Sequence, residues 1–184
     1  FNTKGGMVAA VWLKEYQSYY DYVKNKNGKK TPLALFKEGD AVNQLVFEMK
    51  GKKVRTGSLP FKIKSQDANS IVFETELEPG KTIQNRYILP KDSYNLDYTV
   101  NIKGLGEDVN PKNVGLNWDV AYRKTERLFV EQRRVSTICM NYSKEGFDYL
   151  NEMSADNADA EDQVSWVSYK QSYFSSFLKP EKPF

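Results

Sequence analysis

The chain has 184 residues with twelve tyrosines and ten phenylalanines, a formal net charge of +3, one cysteine and no histidine. This length favours one domain with enough chain to bury a core. The lack of histidine excludes His-dependent triads and the usual His-containing zinc sites, and one cysteine excludes an internal disulfide. The small net charge gives no argument for a nucleic-acid partner.

The chain opens on FNTKGG, without an initiator Met or a signal-peptide pattern. We therefore expect it to be a piece of a longer protein. Every apolar run in the sequence is much shorter than the length of about 18 residues that a transmembrane helix needs. The high aromatic content is typical of β-rich proteins.

Short apolar or alternating runs, bounded by turn formers, predict about eleven or twelve strands. The clearest are residues 94–102 and 114–122, in which every second residue is apolar. Residues 70–77 and 82–89 are predicted to form a hairpin around Glu78-Pro79-Gly80-Lys81. The remaining strands are predicted in residues 7–13, 33–36, 42–49, from 54 onward, 61–64 and 135–142.

No window predicts a long, well-capped helix. Residues 145–150 are expected to form a helical turn, and residues 154–162 an exposed acidic loop. Gly104-Leu105-Gly106 lies in a segment rich in turn formers and is interpreted as a turn. Many short strands joined by turns predict an all-β, antiparallel sandwich or barrel with few short helices, whose polar alternate faces partly contact solvent.

The segment VSWVSYKQSYFSSFL, residues 164–178, threads five aromatic residues through five serines. Its aromatics share one side of a helical wheel, so an amphipathic helix stays open. Its composition favours a strand instead. Because both faces of that strand are apolar, we expect it to be core, with a bulge or bend near Lys170-Gln171.

Few residues point to catalytic or ligand chemistry. The chain has neither GxxxxGK[ST] nor GxGxxG, the phosphate- and dinucleotide-binding patterns. The carboxylate pairs Glu74 with Glu76 and Asp97 with Asp119 are expected by chance in an acid-rich chain. We therefore predict no catalytic, cofactor-binding or metal-binding residue and no cofactor.

Three weaker patterns have competing interpretations. The run from Asp156 to Asp162 alternates oxygen ligands but lacks the glycine of an EF-hand loop, which favours a plain acidic loop. The sequon Asn141-Tyr142-Ser143 arises easily by chance. Residues 123–134, RKTERLFVEQRR, suit anionic lipid head groups or an acidic partner, although their two glutamates favour a solvated, self-paired edge.

Three segments, in matching order and spacing, resemble the periplasmic domain of the YidC family of bacterial inner-membrane protein insertases. They are the opening NTKGGMVAAVWLKEY, the strand pair KTIQNRYILPKDSYNLDYTVNI and the closing VSWVSYKQSYFSSFL. The stretches STICMNYSKEGFDYLNE and FSSFLKPEKPF are most similar to the Bacteroidetes branch of that family. The resemblance covers nearly the whole chain.

The resemblance implies a large twisted antiparallel β-sandwich, the supersandwich of galactose-mutarotase-like proteins, formed as a single periplasmic domain by residues 1–184. Enzymes of that fold use histidines, which this chain lacks, so the fold gives no argument for catalysis. The resemblance instead implies a non-catalytic, chaperone-like accessory domain at the periplasmic face of the inner membrane. It would assist membrane protein insertion and folding as part of a multi-pass membrane protein.

The implied partners are Sec translocon components, nascent membrane proteins and the rest of the parent protein. No binding residue is assigned from the sequence, although surface aromatics and sheet edges are the expected places. The alternative is a carbohydrate-binding or mutarotase-like cell-surface domain.

Overall fold

The computed structural model describes residues 1–26, 28–110, 113–160 and 162–183. Within these residues it contains thirteen strands and two short α-helices, which confirms the all-β prediction. The strands are β1 Val11–Leu13, β2 Leu33–Phe36, β3 Ala41–Met49, β4 Lys52–Arg55, β5 Lys62–Gln66, β6 Ser70–Glu78, β7 Lys81–Ile88, β8 Asp97–Lys103, β9 Gly115–Val120, β10 Thr137–Tyr142, β11 Gly146–Tyr149, β12 Val164–Lys170 and β13 Ser175–Leu178. The helices are α1 Tyr19–Lys24 and α2 Phe129–Arg134.

The chain forms two compact units. Unit 1 consists of Phe1–Leu13 and Ala34–Arg123, and unit 2 of Lys14–Leu33 and Lys124–Phe184. Strands β1 and β2 form a two-stranded sheet. The three larger sheets pair antiparallel throughout, as the hairpin-rich sequence predicts.

Unit 1 contains two sheets that share one core. One sheet has the order β4-β3-β9 and the other β5-β6-β7-β8. Alternate residues of the inner strands point into the same cluster, so the two sheets pack face to face as a sandwich. The buried members of this cluster are Leu45, Phe47, Phe61, Ile71, Phe73, Ile83, Tyr87, Leu105 and Val109.

The N-terminal NTKGG segment is fixed against this core by hydrogen bonds. Asn85 Nδ2 and Tyr87 Oη both donate to the Gly6 carbonyl oxygen, each at 3.1 Å. Gly6 has φ +56°, and a Cβ there would lie 2.8 Å from the Phe61 ring. Only glycine fits such a positive φ and close approach without strain. The Gly-Gly pair of the family resemblance therefore has a structural role.

Unit 2 contains one four-stranded sheet with the order β11-β10-β12-β13. Its buried cluster is small, consisting of Met140, Tyr142 and Val164, with Ile138, Leu150 and Val167 packed against it. Helices α1 and α2 also belong to this unit. Each has only six residues, too few for a helical apolar period to show in the sequence.

Two predictions for unit 2 were wrong. Residues 145–150 form a turn and strand β11 instead of a helical turn, because Gly146 takes a positive φ of +86° and starts a hairpin with β10. Residues 164–178 form two strands rather than one. The break comes where a bend was expected, near Lys170-Gln171, but it is a full hairpin turn that pairs β12 with β13.

The hairpin also changes the burial of the aromatic segment. Ser168 and Val164 are buried, but Tyr173 and Phe177 are 77% and 62% exposed. The prediction that this whole segment is core was therefore wrong for its second half, because a strand at the edge of a sheet has fewer neighbours than a central one.

Candidate functional site

The main exposed aromatic cluster lies on one side of the unit 2 sheet. We define the aromatic face as Phe147 and Tyr149 of β11, Trp166 of β12 and Phe177 of β13. The Phe147 ring lies 6.1 Å from both Tyr149 and Trp166, and Trp166 lies 5.4 Å from Phe177, measured between ring centroids. The aromatic face thus spans three of the four strands as a continuous set of ring contacts.

The strand register explains why these side chains share a side. Asn141 of β10 is paired with Phe147 on one neighbour and with Trp166 on the other. One step along the sheet, Cys139 pairs with Tyr149 and with Ser168, and Ser168 pairs with Phe177. Directly paired residues point to the same side of a sheet, and so do alternate residues of one strand. The four rings of the aromatic face therefore share one side of the sheet with Asn141, Cys139 and Ser168.

The opposite side of the sheet carries the apolar cluster. Met140 belongs to the buried cluster of unit 2, and its strand partner Val167 is partly buried and packs against that cluster. The sheet therefore has one side committed to packing, whereas three of the four rings on the other side remain exposed: Phe147 by 60%, Tyr149 by 55% and Phe177 by 62%.

Small side chains form the floor between the rings. Cys139 and Ser168 are buried side by side at the centre of the sheet. Next to them, Lys170 Nζ donates to Glu152 Oε1 at 2.9 Å and to the Val135 carbonyl oxygen at 2.8 Å. The exposed rings thus flank the small side chains of Cys139 and Ser168, and the Lys170–Glu152 ion pair lies beside them.

Cys139 does not give this surface nucleophilic chemistry. Its thiol is free and buried, and burial raises the pKa of Cys139 despite the opposing effect of the Lys170 ammonium. A thiol with a raised pKa has little reactive thiolate at neutral pH.

The carboxylate pairs of the sequence are engaged in structural contacts. Glu74 accepts hydrogen bonds from Lys64 Nζ at 2.7 Å and from Gln84, and Glu76 accepts from the Gly80 amide at 2.8 Å. Asp97 and Asp119 lie on β8 and β9, which belong to different sheets. Glu74 and Glu76 are therefore committed to hydrogen bonds within the fold.

The other sequence patterns also have structural explanations. Residues 154–160 of the acidic loop are exposed, as predicted, and Asp162 is half-buried. Asp156 accepts a hydrogen bond from the Asn151 amide, and Asp162 accepts one from the Lys144 amide. Glu161 lies outside the described residues. Asn141 of the sequon lies on a central strand and donates to the Tyr142 carbonyl. Among the residues that the structure describes, no group of three or more His, Cys, Asp or Glu side chains could hold a metal ion.

Residues 123–134 include helix α2 and are partly self-paired. Arg134 pairs with Glu131 within the segment at 3.1 Å, whereas Arg123 pairs with Asp40 outside it. Lys124 lies over the Tyr20 and Phe129 rings instead. The self-paired interpretation therefore holds for only part of the segment.

Comparison with known proteins identifies the family. A family model described as the YidC periplasmic domain matches residues 1–183. The chain belongs to the YidC periplasmic domain family. This confirms the resemblance read from the NTKGG opening, the central strand pair and the closing aromatic segment. No helix in the described part of this YidC-family chain is long and apolar enough to cross a membrane.

Curated relatives agree with the family assignment. The chain is 28% identical to the membrane protein insertase YidC of Phocaeicola vulgatus, covering 100% of the chain and 28% of that protein. It is 30% identical to that of Cytophaga hutchinsonii, with 95% and 27% covered, and 29% identical to that of Porphyromonas gingivalis, with 96% and 27% covered. The chain thus spans little more than a quarter of these relatives. No solved structure matches it.

Sequence reasoning found only half of the aromatic face. The closing segment of the family resemblance supplies Trp166 and Phe177, although both were expected to be core. Phe147 and Tyr149 were missed because their segment was interpreted as a helical turn. The available signal was the alternation of aromatic and polar residues directly after Gly146, with Phe147 and Tyr149 two residues apart. Such alternation after a glycine is typical of a strand that follows a turn.

Proposed function

We propose that this chain is a non-catalytic periplasmic domain that assists membrane protein insertion, and that its aromatic face binds apolar, extended segments of nascent membrane proteins. The observation that carries this proposal is the set of contacting, exposed rings on one side of the unit 2 sheet. The relatives are named membrane protein insertases, and segments of their substrates must be apolar to enter a bilayer.

The chemistry of the aromatic face suits a changing set of apolar partners. Phe, Tyr and Trp provide large contact areas with few rotatable bonds. Covering each exposed ring contributes about 2 kcal/mol before the costs of association. Because those costs are about 4 to 15 kcal/mol, we expect weak complexes that exchange quickly. Weak binding allows one segment to leave before the next arrives.

The edges of the sheet add a second means of recognition. β11 and β13 are the outer strands, so each presents one row of backbone groups that has no neighbour within this sheet. An extended segment can pair with such an edge while its side chains contact adjacent rings. Phe147 and Tyr149 stand on one of these edge strands, and Phe177 stands on the other.

The setting of the domain is part of the same proposal. We expect residues 1–184 to act as one domain at the periplasmic face of the inner membrane, within a longer multi-pass protein, with Sec translocon components as further partners. The family description and the names of the relatives support this setting.

A direct test titrates the purified chain into a fluorescently labelled, apolar peptide of about ten residues, long enough to cross the sheet. The double variant Phe147→Ser/Phe177→Ser should weaken binding by about ten-fold or more, as loss of central aromatic contacts usually does. Anisotropy measures the dissociation constant, and circular dichroism confirms that the variant is folded.

The matched control is Tyr94→Ser/Tyr173→Ser. Both tyrosines are exposed, each by 77%, and neither belongs to the aromatic face. The control should bind like the wild-type chain. Equal affinity of the Phe147→Ser/Phe177→Ser variant and this control would contradict the proposed binding surface.

The exposed rings also fit the alternative of a carbohydrate-binding domain, because saccharide sites use exposed aromatic side chains as platforms. A glycan panel tests it with the same two double variants. Saccharide binding lost only in Phe147→Ser/Phe177→Ser, without peptide binding, would favour the alternative.

A further inference from the structure

A second surface of unit 2 combines exposed apolar side chains with positive charge. Leu128, Phe129 and Val130 are consecutive and exposed by 62%, 43% and 63%. Soluble proteins rarely expose three consecutive large apolar residues unless the run is functional. We define the basic apolar patch as residues 18–26, 28–30 and 124–134, which include α1 and α2.

Contacts between the two segments hold the patch together. The Tyr19 amide donates to the Thr125 carbonyl oxygen at 2.8 Å, and Tyr20 Oη donates to the Arg127 carbonyl oxygen at 3.3 Å. Lys124 Nζ lies 4.8 Å from the centroid of the Tyr20 ring. These contacts hold the start of α1 against the residues that precede α2.

A buried glutamine fixes how the apolar run is presented. Gln132 is 2% exposed, and its Oε1 accepts hydrogen bonds from the amides of Thr125 at 3.0 Å and Glu126 at 3.2 Å. This side chain ties the segment before Leu128 to α2. The exposed run is therefore a built feature rather than a loose loop.

Positive charge surrounds the run. Lys124, Arg127, Arg133 and Arg134 are all exposed, and the 124–134 segment contains only two acidic residues. The 18–30 segment adds four exposed lysines and one acidic residue. The patch thus has eight basic and three acidic residues, whereas acidic residues outnumber basic ones over the rest of the chain.

We infer that the basic apolar patch docks on a bilayer surface that contains anionic phospholipid. Apolar side chains flanked by Lys and Arg suit the boundary between head groups and acyl chains. Tyrosines such as Tyr19 and Tyr22, both exposed, suit the head-group level because they are amphipathic. Long basic side chains reach lipid phosphates while their stems cover apolar surface. This inference goes beyond the proposed function, which uses the aromatic face.

The test measures co-sedimentation of the chain with vesicles of phosphatidylcholine, alone or with about one third phosphatidylglycerol. We expect binding only to the anionic vesicles, and weaker binding as salt rises. Arg127→Gln/Arg133→Gln should lower the partition coefficient by about 25-fold, since each basic residue near the surface contributes about five-fold. Lys52→Gln/Lys53→Gln, which removes two exposed lysines of β4, is the charge-matched control and should bind normally.

Leu128→Ser/Val130→Ser tests the apolar part and should lower binding about ten-fold or more. Depth is tested with Leu128→Cys carrying an environment-sensitive fluorophore, because the native Cys139 is buried. Fluorescence quenching by brominated acyl chains would show insertion. No difference between the two vesicle types, no effect of either patch variant, or binding to polyglutamate but not to vesicles would overturn the inference.

Discussion

The two units of the molecule use aromatic residues in opposite ways. In unit 1, Phe73 and Tyr87 lie between two sheets and are 1% and 2% exposed. In unit 2, Phe147 and Phe177 lie on one side of a single sheet, and most of each ring is open to solvent. The residue types are similar, but within the part of the chain that the structure describes, the rings of unit 1 are covered by a second sheet and those of unit 2 are not.

This difference separates a region with a large core from the region for which we propose binding. Among the described residues, the main core cluster of unit 1 has nine buried members, whereas the cluster of unit 2 has three. A large shared core makes unit 1 rigid, whereas the exposed rings of unit 2 are the contact area that we propose for partners. The aromatic face and the basic apolar patch both belong to unit 2, as this division requires.

The largest effect on stability is expected for Phe73→Ala. Removing this ring leaves a cavity between the two sheets, which should lower the free energy of unfolding by about 3 to 5 kcal/mol. Urea denaturation of the purified chain measures the change. Phe147→Ala is the matched control and should change stability by about 0.5 kcal/mol or less, because its ring is exposed. Similar losses for both variants would break the contrast between the units.

A smaller loss is expected for Gly6→Ala, which tests how the N-terminal segment is fixed in unit 1. The positive φ costs about 1 to 2 kcal/mol for alanine, and the contact with the Phe61 ring adds overpacking of about 1 to 3 kcal/mol. Gly39→Ala is the control, since Gly39 has φ +88° but nothing lies within 4 Å of its Cβ position. Gly6→Ala should therefore melt at a lower temperature than Gly39→Ala. Equal melting temperatures would exclude the contact with Phe61 as a cause of the loss of stability.

The smallest effect concerns the surface ion pairs of unit 1. Hydrogen bonds from Lys50 and then Lys81 lower the pKa of Glu78 from 4.5 to about 2. A lowered pKa means that the Glu78 carboxylate stabilises the fold above pH 4.5, and that this contribution is lost as the pH falls through about 2. The melting temperatures of wild type and Glu78→Gln should therefore differ slightly near neutral pH and converge in acid. A difference that does not change with pH would contradict this assignment.

Local sequence signals predicted unit 1 better than unit 2. The hairpin at Glu78-Pro79-Gly80-Lys81 and the alternating strand that became β8 follow from turn chemistry and period-two patterns, and both are confirmed. Such signals depend on neighbouring residues only. The single-domain prediction for residues 1–184 stays a prediction.

The surfaces of unit 2 depend on tertiary structure instead. Composition identified residues 164–178 as strand, but it could not show that Phe177 would stand on an edge strand with no sheet over it. Helix α2 was missed because six residues cannot establish a helical period. The family resemblance agreed with the predicted fold class but assigned no binding residues. Its motifs include residues such as Gly6, whose role is structural, so a motif residue could not be taken for a binding residue.

Hydrogen exchange with and without a bound apolar peptide tests the proposed difference between the two units. We expect the peptide to slow amide exchange in β11, β12 and β13 of unit 2 and to leave exchange in the strands of unit 1 unchanged. Protection confined to unit 1, for example along the exposed edge strand β5, would contradict the division between a supporting unit 1 and a binding unit 2.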